Sequence, residues 1–205
     1  TGSPLNSWRS AERNEAWADP DRPDAAAAVP DIRRRIDDAG CPVPLVGDVH
    51  FNGLALLRGQ PESVRALDKI RINPANVGPE RRRDPDFEAV CGLARDHGLA
   101  VRIGVNGGSL DPDLLASSMR AARRGAQPPD PLDVVEGCAV ESVLRSVDLA
   151  LASGLGEDRI VVSAKVSTPP SLIRIYRRLA GELHQPLHLG LTEAGLGRRG
   201  IVRAI

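Results

Sequence analysis

The stretch Val43–Gly53, VPLVGDVHFNG, decides how the rest of the chain is read. Val43, Pro44, Leu45 and Val46 suit a buried strand, and Gly47, Asp48 and His50 follow at its carboxyl end. A strand that needed only burial has no use for an acid and an imidazole there. The same arrangement recurs downstream. KIRIN carries Arg71 and Asn73, LAVRIGVN carries Arg102 and Asn106, RIVVSAKV carries Lys165, and PLHLGLTEAG carries His188, Thr192 and Glu193.

Helical segments separate these strands. DAAAAVPDIRRRIDDAG places Ala28, Val29, Ile32 and Ile36 near one face and stops at Gly40; Pro30 inside it is a candidate first-turn residue. GLALLRGQPESVRALD reads as two helical pieces split by Gly59 and Pro61. DPDFEAVCGLARDHG has Asp84 as a possible cap and Gly98 as a stop. DPDLLASSMRAARR opens with Asp111 as cap and Pro112 at its first position. A long helix follows over LDVVEGCAVESVLRSVDLALASG, then one over PSLIRIYRRLAGELH, and a last one begins in RRGIVRAI.

Strand and helix alternate without a hairpin signal, the pattern of parallel βα units. Two architectures compete, a (β/α)8 barrel and an open doubly wound sheet. No GxGxxG follows the first strand, which counts against the dinucleotide-binding form of the open sheet. Five strands in 205 residues are too few for a closed eight-stranded barrel. The expectation is an α/β fold, an incomplete TIM barrel of about five or six central βα units over residues 24–205. Residues 1–23 are polar and show no sustained period, so they are expected to be an irregular tail.

The bulk numbers agree with one domain. The hydrophobic fraction is 41%, and 27 basic side chains balance 27 acidic ones. A zero net charge argues against a general nucleic-acid or membrane-surface binder. No run of 18 apolar residues predicts a membrane span, and the first residues do not read as a signal peptide. The expectation is a soluble, cytoplasmic protein. Cys41, Cys91 and Cys138 are far apart and form no CxxC pair, which fits free thiols in a reducing compartment.

In a parallel βα barrel the working side chains sit at the carboxyl ends of the strands. Each residue named there has an ordinary reading by itself: a cation that reaches solvent, a hydrogen-bonded structural His, or an Asn that makes a turn. Jointly they are three cations, two amides, two histidines and two acids aimed at one mouth. Fixed-charge donors suit an anionic ligand, because Arg grips two phosphate oxygens in a fork and Lys adds a point charge. NGGS after the third strand adds a Gly-rich turn before a helix, a weak phosphate signal.

VPLVGDVHFNG, ALDKIRINPANVG, VRIGVNGGSLD, VVSAKVS and PLHLGLTEAG, in this order, resemble the barrel domain of bacterial 4-hydroxy-3-methylbut-2-enyl diphosphate synthase. The resemblance runs from about Asp24 to Ile205. It implies a TIM barrel that binds 2-C-methyl-D-erythritol 2,4-cyclodiphosphate in non-mevalonate isoprenoid biosynthesis. It implies a homodimer and, on a separate C-terminal domain, a [4Fe–4S] cluster fed by flavodoxin or ferredoxin. By position it implies that His50, Asn73, Arg102, Asn106 and Lys165 hold the diphosphate, that Asp48 and Arg71 line the mouth, and that Glu193 is catalytic at the hydroxyl side. The family's cluster ligands lie beyond the barrel, and Cys41, Cys91 and Cys138 do not match them. The expectation is that this chain alone does not turn over. Two rival readings are a truncated, non-catalytic remnant with at most weak diphosphate binding, and another phosphate-handling barrel related to dihydropteroate synthase. TEAG and RIGVN in this order fit the synthase better than the latter.

Overall fold

A computed structural model describes residues 16–18, 22–77, 83–124, 127–192 and 194–204. The elements run β1 (Ala16–Ala18), α1 (Pro23–Asp38), β2 (Leu45–Val49), α2 (Gly53–Gly59), α3 (Pro61–Arg65), β3 (Lys69–Ile72), α4 (Arg83–Asp96), β4 (Ala100–Asn106), α5 (Pro112–Ala122), α6 (Pro131–Ala152), β5 (Ile160–Lys165), α7 (Pro169–Glu182) and α8 (Gly197–Ala204). Short 3₁₀ turns at Pro74–Asn76, Gly107–Ser109 and Glu157–Arg159 complete the connections.

Among the described residues, five strands form one sheet in the order β1-β2-β3-β4-β5, and every pair is parallel. Each strand lies beside its sequence neighbour, so the order never reverses. A doubly wound sheet needs such a reversal and a barrel wall does not, which separates the two architectures.

Side chains alternate across the strands. One face sends Leu45, Ile70, Ile72, Val101, Ile103, Val105 and Val162 into a core shared with Leu57, Phe87, Val90, Val143, Val147, Ile175 and Leu179 of the helices. The other face carries the polar residues. Burial of the first face drives the fold, at about 25 cal/mol per Å² of apolar area removed from water.

Several local expectations hold. Asp111 caps α5 by accepting from the backbone N–H groups of Asp113 and Leu114, at 2.8 and 3.1 Å, with Pro112 beside it. Gly40 and Gly98 follow their helices at φ of 63° and 68°, a left-handed conformation that suits glycine. Asp84 is not a cap, since α4 already includes Arg83 and Asp84 falls in its first turn.

Three differences have physical causes. First, α1 starts at Pro23 and continues through Pro30. Pro30 has no N–H for the Ala26 carbonyl four residues back. The buried Ser63 hydroxyl donates to that carbonyl instead, at 2.7 Å, so the helix tolerates the proline. Second, Ala16–Ala18, inside the segment read as irregular, pairs with Leu45–Gly47 of β2. Edge pairing needs little from the side chains, so no hydrophobic period marked it. Third, PLHLGL does not form a full strand. It pairs only at isolated bridges, Val162–Leu187 on β5 and Val166–Leu191 just past the end of β5. Between them the Tyr176 hydroxyl wedges into the ladder, accepting from the Ala164 N–H at 2.9 Å and donating to the His188 carbonyl at 2.5 Å. A side chain from α7 thus takes the place of a direct strand–strand bond.

Candidate functional site

Register brings the strand-end residues together. Asp48 pairs with Arg71 and Arg71 with Arg102, so the three stand at one level on the polar face. Asn106 pairs with Lys165 at a higher level. Lys69, one inward position below Arg71, completes the cluster.

Arg71 is 3% exposed, and its Nη1 donates to Asp48 Oδ1 at 2.9 Å. His50 Nε2 lies 3.2 Å from both atoms of that pair, so an acid, an imidazole and a guanidinium form one knot. The Arg71 Nε is buried with no hydrogen-bond acceptor among the described residues. It passes over Gly104, where a Cβ would stand 2.9 Å from Nε, so that glycine leaves the guanidinium its room. Arg102 is 1% exposed, with Nη1 3.3 and 3.2 Å from the two ring nitrogens of His188. Lys165 is half-buried, and a Cβ at Gly190 would meet its Cγ at 3.1 Å.

The electrostatics follow from this crowding. Burial, then the charges of Arg71 and Arg102, push Lys165 below the usual lysine range, partly offset by Asp48. Burial, then Arg102, Lys69 and Lys165, push His188 down to about 4, so it is neutral at pH 7. Among the described residues the cluster holds four cations, Lys69, Arg71, Arg102 and Lys165, against one carboxylate, Asp48. Buried charge of one sign is costly unless a counter-charge meets it. A set of fixed-charge donors of this kind suits an anionic ligand.

A cavity of about 420 Å³ opens beside the ends of β4 and β5, between α6 and α7. Asn106, Lys165 and Thr192 line it, with Leu132, Val135, Ala139 and Ile175 as an apolar wall. It touches the charged cluster only at the Asn106–Lys165 level, and Arg71 and Arg102 lie outside its lining. On its far side a buried Glu136 carboxylate accepts two bonds from Arg174, at 2.8 and 2.5 Å. That fork holds Glu136 below the usual carboxylate range and ties α6 to α7.

Of the residues singled out from sequence, Asp48, His50, Arg71, Arg102 and Lys165 share this cluster. Asn106 stands at its rim. Asn73 is 1% exposed, and its side-chain oxygen accepts from Ala75 N at 3.1 Å, which caps the turn Pro74–Asn76. Part of its work is therefore structural. Glu193 lies outside the described residues. Sequence reasoning missed Lys69, although the signal was present. KIRI alternates charged and apolar, which puts Lys69 and Arg71 on one face.

The comparison with known families is decisive at this point. The family model described as the GcpE TIM-barrel domain matches residues 19–205. The chain belongs to the GcpE family. That is the family of the 4-hydroxy-3-methylbut-2-enyl diphosphate synthases, oxidoreductases of isoprenoid biosynthesis, so the resemblance read from the strand motifs holds. The match begins at residue 19, five positions before the 24 expected from the motifs. Among solved structures, two variants of proline utilization A from Bradyrhizobium japonicum are similar at 12% and 13% identity, with TM-scores of 0.38 and 0.37. In both, the alignment covers 86% of this chain and 22% of that one.

GcpE proteins carry a [4Fe–4S] cluster as a family property. Among the described residues no three of His, Cys, Asp and Glu converge as a metal site would require. Cys41 is exposed, whereas Cys91 and Cys138 are buried, and burial with the nearby Glu88 pushes Cys91 up to about 12. A cluster binds thiolates, so these residues do not fit one. Among the described residues, no helix is long and apolar enough to cross a membrane.

Proposed function

We propose that this barrel binds 2-C-methyl-D-erythritol 2,4-cyclodiphosphate and holds it for reductive ring opening to 4-hydroxy-3-methylbut-2-enyl diphosphate. One observation carries the reading: four cations face inward from three adjacent strands against a single carboxylate among the described residues. A cyclic diphosphate offers several oxygens to such fixed-charge donors, and the family membership supplies its identity.

In this reading Arg102 and Lys165 hold the diphosphate oxygens, with Asn106 at the rim. Asp48 and His50 orient Arg71, whose positive charge adds to the field at the diphosphate. A carboxylate is a poor partner for a diphosphate because like charges repel. Glu193 is therefore assigned to the hydroxyl side, where it orients the departing oxygen or passes it a proton. The reduction takes two electrons. A [4Fe–4S] cluster of the kind the family carries would supply them from flavodoxin or ferredoxin, and no described residue of this chain would hold it. A homodimer is part of the same proposal.

Calorimetric titration with the cyclodiphosphate tests the assignment. Arg102→Ala and Lys165→Ala should each weaken binding by about 1.5–3 kcal/mol, the scale for a hydrogen bond to a charged group. Arg124→Ala, at an exposed position, should change it by less than about 0.5 kcal/mol. Equal losses at all three would refute the site.

A further inference from the structure

The charged cluster contains a residue whose work is not explained by touching an anion. His188 sits behind Arg102, on the interrupted strand that faces β5. We propose that His188 is a positioning residue, an uncharged ring that fixes the Arg102 guanidinium in the orientation that receives the anion. The inference rests on the anion-site reading and adds a part to it.

Geometry supports it from three directions. The His188 backbone is pinned on both sides. Its N–H donates to the Val162 carbonyl at 2.7 Å, and its own carbonyl accepts from the Tyr176 hydroxyl. The ring therefore cannot drift with its segment. Next, Arg102 Nη1 lies within 3.3 Å of both ring nitrogens. Nearly equidistant from the two, Nη1 lies over the N–C–N edge of the ring, so a small tilt of the guanidinium brings it to whichever nitrogen lacks the proton and a neutral ring offers it an acceptor. Finally, the groups that face His188 are cations: Arg102 from β4, Lys69 from β3 and Lys165 from β5. A protonated ring would place a further positive charge against them, and burial disfavours it as well. The imidazole thus serves as an acceptor that keeps its neutral form where an ordinary histidine would begin to charge. A carboxylate in its place would also bind Arg102, but it would cancel charge that the ligand needs. A neutral acceptor orients the guanidinium and leaves its charge available.

A histidine that merely fills space is replaceable by a ring of similar size. His188→Phe keeps the ring and removes both nitrogens. His188→Gln keeps an acceptor and removes the ring. Inorganic pyrophosphate is titrated into the full chain at pH 7.5, and the melting temperature of each variant is taken on the same preparations. The expected result is a loss of affinity of about tenfold or more for His188→Phe, as for one hydrogen bond to a charged group. His188→Gln should stay within about threefold of the unaltered chain, whatever either change does to the melting temperature. Nitrogen-15 NMR of the imidazole should show a neutral His188 ring at pH 5.5. Unchanged affinity in His188→Phe, with binding lost in Arg102→Ala, overturns the positioning role alone, as does a cationic ring at pH 5.5. Absence of pyrophosphate binding by the unaltered, folded chain overturns the anion site and this role together.

Discussion

Tyr176→Phe removes one oxygen atom, and its effect follows from where that atom stands. The hydroxyl accepts from the Ala164 N–H at 2.9 Å and donates to the His188 carbonyl at 2.5 Å. Ala164 is 1% exposed and Tyr176 7%, so water has little access to either backbone group. The phenyl ring of the variant still fills the gap, and the two strands cannot close to pair directly. Two buried backbone groups then lose their partner. An unsatisfied buried group costs about 1–3 kcal/mol, which gives about 2–4 kcal/mol after partial relaxation. In a domain of this size that lowers the melting temperature by roughly 4–16 °C. Urea unfolding followed by circular dichroism measures the loss, and hydrogen exchange localises it, with Ala164 losing protection ahead of Val162. A change below about 0.5 kcal/mol, the scale of ordinary surface substitutions, would show that the hydroxyl is not a ladder element.

Two further outcomes are expected. Gly104→Ala sets a Cβ 2.9 Å from the Arg71 Nε, whose guanidinium is buried and held by Asp48. Overpacking should cost about 1–3 kcal/mol in urea unfolding and should weaken pyrophosphate binding, because Arg71 must shift; a variant equal to the unaltered chain in both would deny the close approach. For pH, His188 is depressed to about 4 when folded, from 6.5. The unfolded chain therefore takes up that proton first as pH falls, so this stability is present above about 6.5 and is lost down to about 4. The ring is only partly buried, so the discounted effect is about 1–2 kcal/mol. Unfolding free energies across pH 4–7 should drop less steeply in His188→Gln, and identical slopes would contradict the neutral ring.

What was legible in the sequence was local. The strands β2 to β5 showed as short apolar runs between helical periods, and Asp111, Gly40 and Gly98 marked helix ends because capping and left-handed turns depend on the residues at hand. The polar types at the strand ends were equally readable, and they carried the family resemblance. Pro30 was misread because its remedy, the Ser63 hydroxyl, lies 37 residues along the chain from the Ala26 carbonyl it satisfies. PLHLGL read as a strand because its pattern is that of one, while the hydroxyl that interrupts it comes from another helix. Lys69 was passed over because an isolated lysine is usually solvated, and only the pairing of Val46, Lys69 and Ala100 shows it turned inward. The sequence by itself determined a parallel βα chain and the chemical types along its mouth. Tertiary structure decided which of them share a space: register sets Asp48, Arg71 and Arg102 at one level, and desolvation among their neighbours sets the charge of His188. Both depend on distances between strands far apart in the chain, which no local pattern encodes.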